Sequence, residues 1–167
     1  MTPQEVIDIF GLEPLPFEGG YYRQSYCSDE ILPQPSLPRR YVTDHAFSSC
    51  IYFLVTTESF SEFHSLKSDE TYHFYMGDPV ELIELLPNGE CRSTILGQDI
   101  LNGQKLQHTV LRGTYQASFI RPGGDWALMG CTVAPAFDLN DFTKGNWENL
   151  LRSHPKHHQI IMKLTRK

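Results

Sequence analysis

Phe60-Ser61-Glu62-Phe63-His64-Ser65-Leu66-Lys67-Ser68-Asp69-Glu70-Thr71-Tyr72-His73-Phe74-Tyr75-Met76-Gly77 is the stretch whose reading decides the fold. Two strand-like runs, Glu62–Lys67 and Thr71–Met76, flank a short polar break, and Gly77 ends the second run. The break reads as a tight turn at Ser68-Asp69. On that reading His64 and Glu70 lie on adjacent strands of a hairpin and point to one face. A His beside a carboxylate serves chemistry in two ways. Both can ligate a divalent metal, or the carboxylate can orient the imidazole as a general base. A buried, satisfied His–Glu hydrogen bond has the same spacing. Glu70, Tyr72 and Phe74 alternate along one run, so they share a face, while His73 faces the other way.

Outward from this stretch the same pattern repeats. Ser48–Thr57, Val80–Leu86, Cys91–Leu96, Gln107–Val110, Tyr115–Ile120 and Trp126–Ala134 read as further strands. Gly77-Asp78-Pro79, Pro87-Asn88-Gly89, Asn102-Gly103, Arg112-Gly113 and Pro122-Gly123-Gly124 divide them. Short strands punctuated in this way predict an antiparallel sandwich or barrel, and the lack of β–α alternation argues against a doubly wound enzyme. Thr2-Pro3-Gln4-Glu5 is a capping box that predicts a helix over about residues 3–10, with Gly11 after it. Gly19-Gly20-Tyr21-Tyr22-Arg23 opens a first strand, and residues 29–40 read as an exposed loop. Trp147–Ser153 and Pro155–Leu164, the latter capped by Ser153, predict a helical tail. At 167 residues the chain is expected to be one domain, with a barrel over about 15–142 and the tail over 145–167.

Composition excludes several functions. Net charge is −6 with no basic stretch, which argues against nucleic-acid binding. No apolar run approaches the roughly 20 residues of a membrane span. The start of the chain carries no signal-peptide pattern. Cys27, Cys50, Cys91 and Cys131 form no C-x-x-C pair, so a zinc knuckle or redox motif is not expected. Cys50 and Cys131, inside apolar runs, read as small buried thiols in a reduced, cytoplasmic protein.

His64-x-Leu66-x3-Glu70-x6-Gly77 resembles the first cupin motif, in which His-x-His precedes Glu and Gly. Leu111-Arg112-Gly113-Thr114-Tyr115-Gln116 stands where the second motif, Pro-x-Gly-x2-His, should follow. Glu18-Gly19-Gly20-Tyr21-Tyr22-Arg23, Ile51-Tyr52-Phe53-Leu54, Ser68-Asp69-Glu70 and Gly130-Cys131-Thr132-Val133-Ala134-Pro135 resemble the cupin type 5 branch of that superfamily. The resemblance implies an all-β jelly-roll barrel with a short N-terminal helix, a helical C-terminal tail and a small-molecule pocket in its mouth. It also implies a homodimer. Metal-binding cupins use three His and one Glu. This chain keeps His64 and Glu70 and offers Leu66 and Gln116 at the other two positions. His64, Glu70 and Gln116 are therefore candidate ligands for a weakly held divalent ion, and no tightly bound cofactor is expected.

Sugar-nucleotide epimerases with a similar barrel work without metal through a His base, an acidic partner and a Tyr. By that likeness the candidate catalytic residues are His64 as base, Glu70 orienting it and Tyr72 as acid. Arg23, Phe74 and Gln116 are candidate contacts to a carbohydrate-type or anionic metabolite, since a guanidinium suits anions. The alternatives are a ligand-binding or regulatory module without turnover, and a metal-dependent oxygenase or isomerase. His154, His157 and His158 share a helical face and are read as solvated.

Overall fold

The computed structural model describes residues 1–165. Helix α1 (Pro3–Phe10) is capped as its sequence predicts. The Glu5 amide donates to Thr2 Oγ1, the Thr2 amide donates to Glu5 Oε2, and Gly11 ends the helix at φ 59°. The strands are β1 (Glu13–Pro14), β2 (Tyr21–Cys27), β3 (Ile31–Leu32), β4 (His45–Ala46), β5 (Ser49–Thr56), β6 (Ser61–Leu66) and β7 (Asp69–Gly77). They continue as β8 (Val80–Leu85), β9 (Cys91–Leu96), β10 (Gln107–Val110), β11 (Tyr115–Ile120), β12 (Trp126–Ala134) and β13 (Phe142–Lys144). Helices α2 (Trp147–Ser153) and α3 (His158–Lys163) close the described chain.

The strands build a six-stranded sheet, β1-β2-β5-β12-β7-β10, facing a five-stranded sheet, β13-β6-β11-β8-β9. Every pairing within the two is antiparallel. This is the expected jelly-roll barrel. β3 and β4 form a separate ribbon in the loop before β5.

Strand alternation sorts the apolar residues into three cores. Phe53, Val55, Tyr72, Phe74, Val80, Leu82, Met129 and Cys131 fill the barrel. Leu54, Trp126 and Leu128 point outward from β5 and β12 and are covered by Val6 of α1. Phe63, Ile83, Leu85 and Phe119 point outward from the other sheet and are covered by Leu150, Ile161 and Leu164 of the tail. Helices on both outer faces explain why these strands read as nearly continuous apolar runs rather than as clean alternation.

Two expectations about the tail are corrected. Ser153 does not cap the last helix. Its hydroxyl donates back to the carbonyls of Asn149 and Leu150, and a 3-10 turn at Pro155–His157 precedes α3. His154 is not solvated either. It is buried, with Nε2 2.9 Å from the Leu86 carbonyl. The expected tail reached residue 167, and residues 166 and 167 lie outside the described part. Among the described residues no helix is long and apolar enough to cross a membrane.

Candidate functional site

His64 and Glu70 do meet, but the expected hairpin does not exist. β6 pairs with β11 and β13, whereas β7 pairs with β12 and β10. The Lys67-Ser68 connection is a corner that carries the chain from one sheet to the other. It is held from three sides. Arg40 Nε donates to the Lys67 carbonyl at 2.9 Å, the hydroxyls of Tyr41 and Ser68 lie 2.8 Å apart, and the Lys67 amide donates to the Asp141 carbonyl at 3.2 Å. His64 and Glu70 thus face each other across the barrel interior at its open end.

The hydrogen bonds around His64 define its tautomer. Nδ1 lies 2.8 Å from the Glu62 carbonyl, which can only accept, so Nδ1 carries the proton and Nε2 bears a lone pair. That lone pair faces the Gln116 amide nitrogen at 3.3 Å, and the same nitrogen donates to Glu70 Oε2 at 2.5 Å. The imidazole is clamped in plane by Phe142, with ring centroids 5.2 Å apart and planes 15° from parallel.

Glu18 completes the cluster. Its Oε2 lies 3.8 Å from His64 Nε2, and its Oε1 accepts from the Ser61 hydroxyl at 2.7 Å. The Gly19-Gly20 turn holds it there. Both glycines have positive φ, and a Cβ on Gly20 would sit 2.8 Å from the Leu54 carbonyl oxygen. The Gly20 amide donates to Ser59 Oγ and the Glu62 amide to the Glu18 carbonyl, which locks the turn onto the start of β6. Sequence reading missed Glu18. The available signal was its place at the head of the Glu18-Gly19-Gly20-Tyr21-Tyr22-Arg23 phrase.

Burial pushes the Glu18 carboxyl up to about 7, helped by the nearby charge of Glu62 and opposed by the Ser61 hydrogen bond. Burial also pushes Glu70 up to about 7; His64 pulls against this and Glu18 adds to it. His64 is lowered, again mainly by burial, so the ring stays neutral with its lone pair on Nε2. The Cys131 thiol and the Tyr72 phenol, both buried and bonded to Glu70, are driven well above their usual values.

These groups sit at the floor of a cavity of about 380 Å³ lined by Glu13, Glu18, His64, Glu70 and Cys131 together with Leu15, Phe17, Ile51 and Phe137. That volume is near the lower end of small-molecule sites, roughly 300–1,000 Å³. Several predicted site residues do not reach it. Tyr72 shares a face with Glu70 as expected, but it is 1% exposed and its hydroxyl is turned to the Glu70 carboxyl. Phe74 lies deeper in the barrel core. Arg23 is exposed on the outer face of β2, 5.5 Å over the Tyr52 ring, and its strand neighbours Tyr22 and Gln24 line the cavity instead. Gln116 is fully buried and acts through His64 and Glu70 rather than on the cavity itself. His73 faces away, bonded to Thr132 and Gln107.

A family model described as Cupin superfamily (DUF985) matches residues 4–144. The chain belongs to the cupin superfamily. Among solved structures, this cupin is similar to protein SO0799 from Shewanella oneidensis, with 31% identity, a TM-score of 0.88 and coverage of 99% of this chain and 98% of that one. It is similar to a hypothetical protein from Leishmania major at 29% identity, with a TM-score of 0.89 and full coverage of both chains. Among curated proteins, the uncharacterized protein YML079W of Saccharomyces cerevisiae is 30% identical over 100 residues, covering 58% of this chain and 49% of the yeast protein. The match thus spans about half the length of that relative. Oxalate decarboxylase from Bacillus subtilis shares the fold alone, at 13% identity and a TM-score of 0.53, over 90% of this chain and 36% of that one.

The superfamily's metal chemistry can be tested against the donors present. Among the described residues no three His, Cys, Asp or Glu side chains converge as a ligand group. Leu66, at one ligand position, cannot ligate. Gln116, at another, turns its NH₂ rather than its oxygen toward His64 Nε2 and Glu70 Oε2, because both of those atoms are acceptors. Its Oε1 is buried without a hydrogen-bond partner among the described residues. The amide nitrogen stands where a cation would draw on those two lone pairs. The cupin metal set does not fit this arrangement.

Proposed function

We propose that this cupin binds a small metabolite in the barrel mouth and transfers protons on it without a metal, in the manner of an epimerase or isomerase. The observation that carries this reading is the 3.8 Å gap between His64 Nε2 and Glu18 Oε2 on the cavity floor. Epimerisation beside a carbonyl needs a base to take the carbon-bound proton and an acid to donate to the oxygen that gathers charge. Neutral His64 is the base; its Nε2 lone pair holds only a long 3.3 Å contact from the Gln116 amide, which a substrate proton displaces. Glu18, its carboxyl raised to about 7 by burial, is protonated in about half of the molecules at neutral pH and is the acid. Glu70 is a positioning residue that acts on His64 through Gln116. In this reading Glu18 takes the role expected of Tyr72, which is buried and does not line the cavity.

In the forward step the substrate's C–H bond breaks, its proton moves to Nε2, and the electron pair passes to the carbonyl oxygen as Glu18 protonates it. Reprotonation on the opposite face of the carbon, or at the neighbouring carbon for an isomer, re-forms the carbonyl as the enol O–H proton passes back to Glu18 and His64 gives up its proton. The lining contains no Lys or Arg among the described residues, which disfavours the anionic class of ligand.

The test has two stages. A metabolite library is screened for thermal stabilisation, which rises with ligand concentration over its Kd. A hit is then incubated in D₂O with the wild-type protein and His64→Ala. Solvent deuterium entering the ligand carbon with wild type and not with the variant supports the reading. Binding without exchange would instead make the protein a non-catalytic ligand-binding module.

A further inference from the structure

The cavity combines two kinds of surface that attract the same chemical group. One is aromatic. Phe17 stacks on Phe137 with centroids 6.3 Å apart and planes within 3°, and it meets Phe142 edge-on at 5.0 Å. Phe17, Phe137 and Tyr22 all face the open space. The other is acidic. Glu13 stands at the exposed rim, and Glu18 and Glu70 stand at the floor. Buried carboxylates are ordinarily matched by a cation. Here none is supplied: no Lys or Arg lines the cavity among the described residues, and Arg23 faces the opposite side of β2. Oε2 of Glu18 accepts no hydrogen bond among the described residues and lies beyond hydrogen-bond reach of His64. Ring faces carry negative potential and attract cations, best where water is excluded. A metal does not answer the missing charge, because Leu66 and Gln116 stand at two of the four cupin ligand positions and no three His, Cys, Asp or Glu side chains among the described residues form a ligand group.

We propose that the cavity recognises a small organic ammonium ion with an apolar body, the ammonium seated by Glu18 and Glu70 and the body lying against Phe17 and Phe137. This rests on the cavity being a ligand site and deepens that reading; it does not require turnover. A carboxylate or phosphate would meet three glutamates and no cation. A neutral ligand of the same shape would bury the same apolar area and leave the carboxylates unmatched.

Binding is linked to pH. Glu18 and Glu70, both near 7, hold protons in the empty site that an ammonium group expels. The titratable groups facing this pair are Glu62 and His64 from β6, Tyr72 from β7, Cys131 from β12, and Glu13 and Tyr22 at the rim. Lys144 of β13 pairs with Glu62 at 3.2 Å and is not a lining residue of the cavity, so affinity for the ammonium rises between about pH 6 and about pH 8 as the two carboxyls ionise. An alkylamine, near the lysine value of about 10.4, stays charged throughout that range.

The experiment is titration calorimetry on the full chain with three probes of matched shape: 2-phenylethylamine, 2-phenylethanol and 3-phenylpropanoate. At about pH 8 the amine is expected to bind about tenfold or more tighter than the alcohol, with the carboxylate weakest. Its affinity should fall severalfold at about pH 6, with proton release on binding. Glu18→Gln should lose about tenfold in amine affinity and leave the alcohol unchanged. Glu13→Gln, at the exposed rim where folding is not at stake, should lose about two- to threefold.

Equal binding of amine and alcohol, preference for the carboxylate, an unaffected Glu18→Gln, or no amine binding would each overturn the proposal. So would stoichiometric displacement of the amine by Mn²⁺, which would make the metal the missing charge. Selective amine binding without hydrogen exchange on any ligand would remove the catalytic reading and leave this one standing. Exchange on an anionic substrate would do the reverse.

Discussion

Two His–carboxylate pairs in this barrel differ in a way that separates support from reactivity. His45 and Asp141 are in contact, Nε2 to Oδ2 at 2.7 Å, with side chains 0% and 4% exposed. His45 Nδ1 is tied to the Thr43 carbonyl, and Lys67 approaches Asp141 from the other side at 3.3 Å. No room for a third molecule remains, and the pair fastens the β3–β4 ribbon to the corner between β6 and β7. His108 and Glu84 repeat the closed arrangement at 2.8 Å, joining β10 to β8 across the sheets. His64 is enclosed almost as fully and Glu18 somewhat less, with side chains 2% and 12% exposed, and they stop 3.8 Å apart with the cavity in front of them. A pair already in contact has spent its donors and acceptors on itself. A pair held apart by separate elements keeps a carboxyl oxygen, and an imidazole nitrogen bonded only at long range to Gln116, for something else.

The largest break in this comparison is expected in chemistry. His64→Ala should reduce solvent exchange on the bound ligand by roughly 10²–10⁴-fold, the usual range for removal of a general base. Deuterium incorporation followed by NMR measures it, and a rate within severalfold of wild type would remove His64 from the mechanism. Stability should respond in the opposite order. Asp141→Ala strands His45 in the interior and is expected to cost about 3–5 kcal/mol. For a chain of this size that lowers Tm by roughly 10 °C. His64→Ala should cost clearly less, because water can enter from the cavity; equal losses in calorimetric melts would mean that the two pairs are the same kind of feature.

The pH dependence of stability sharpens the contrast. Glu18 and Glu70 have folded values near 7, raised above the ordinary carboxyl value of 4.5. The folded state therefore holds their protons more tightly than the unfolded chain does. Their contribution is fully present below about 4.5 and is lost as pH rises through about 7. His64 is shifted the other way, but above about 6.5 its unfolded form is neutral as well and it adds no slope. Between about pH 6.5 and 8, denaturant melts should show wild type losing stability and the Glu18→Gln/Glu70→Gln variant losing distinctly less. Parallel slopes would contradict the burial of these carboxyls. The smallest effect belongs to Arg23→Ala, which should change ligand affinity by less than about twofold, since the guanidinium stands outside the cavity.

The elements were legible in the sequence because they are specified locally. The Thr2–Glu5 capping box, Gly11 and the turn-forming glycines set the ends of α1 and of the barrel strands with little help from the rest of the chain. The shared face of Glu70, Tyr72 and Phe74 follows from the period of a strand. The misreading of the β6–β7 connection has a physical reason. A two-residue hairpin and a corner between sheets look alike in sequence, and what distinguishes them here is Arg40, Tyr41 and Asp141, which arrive from distant segments.

The site divides along the same line. Sequence by itself determined that His64 and Glu70 belong to one constellation, that Leu66 and Gln116 replace two histidines of the cupin pattern, and that the chain would fold as a barrel. Only the tertiary structure decided that Glu18 is the third member, that Tyr72 is spent on Glu70, that Arg23 looks outward, and that the Gln116 NH₂ lies between the two acceptors. Periodicity states which side of a strand a residue occupies. It does not state which sheet faces that side, and the distances and burial that set acid, base and charge at this site arise between sheets.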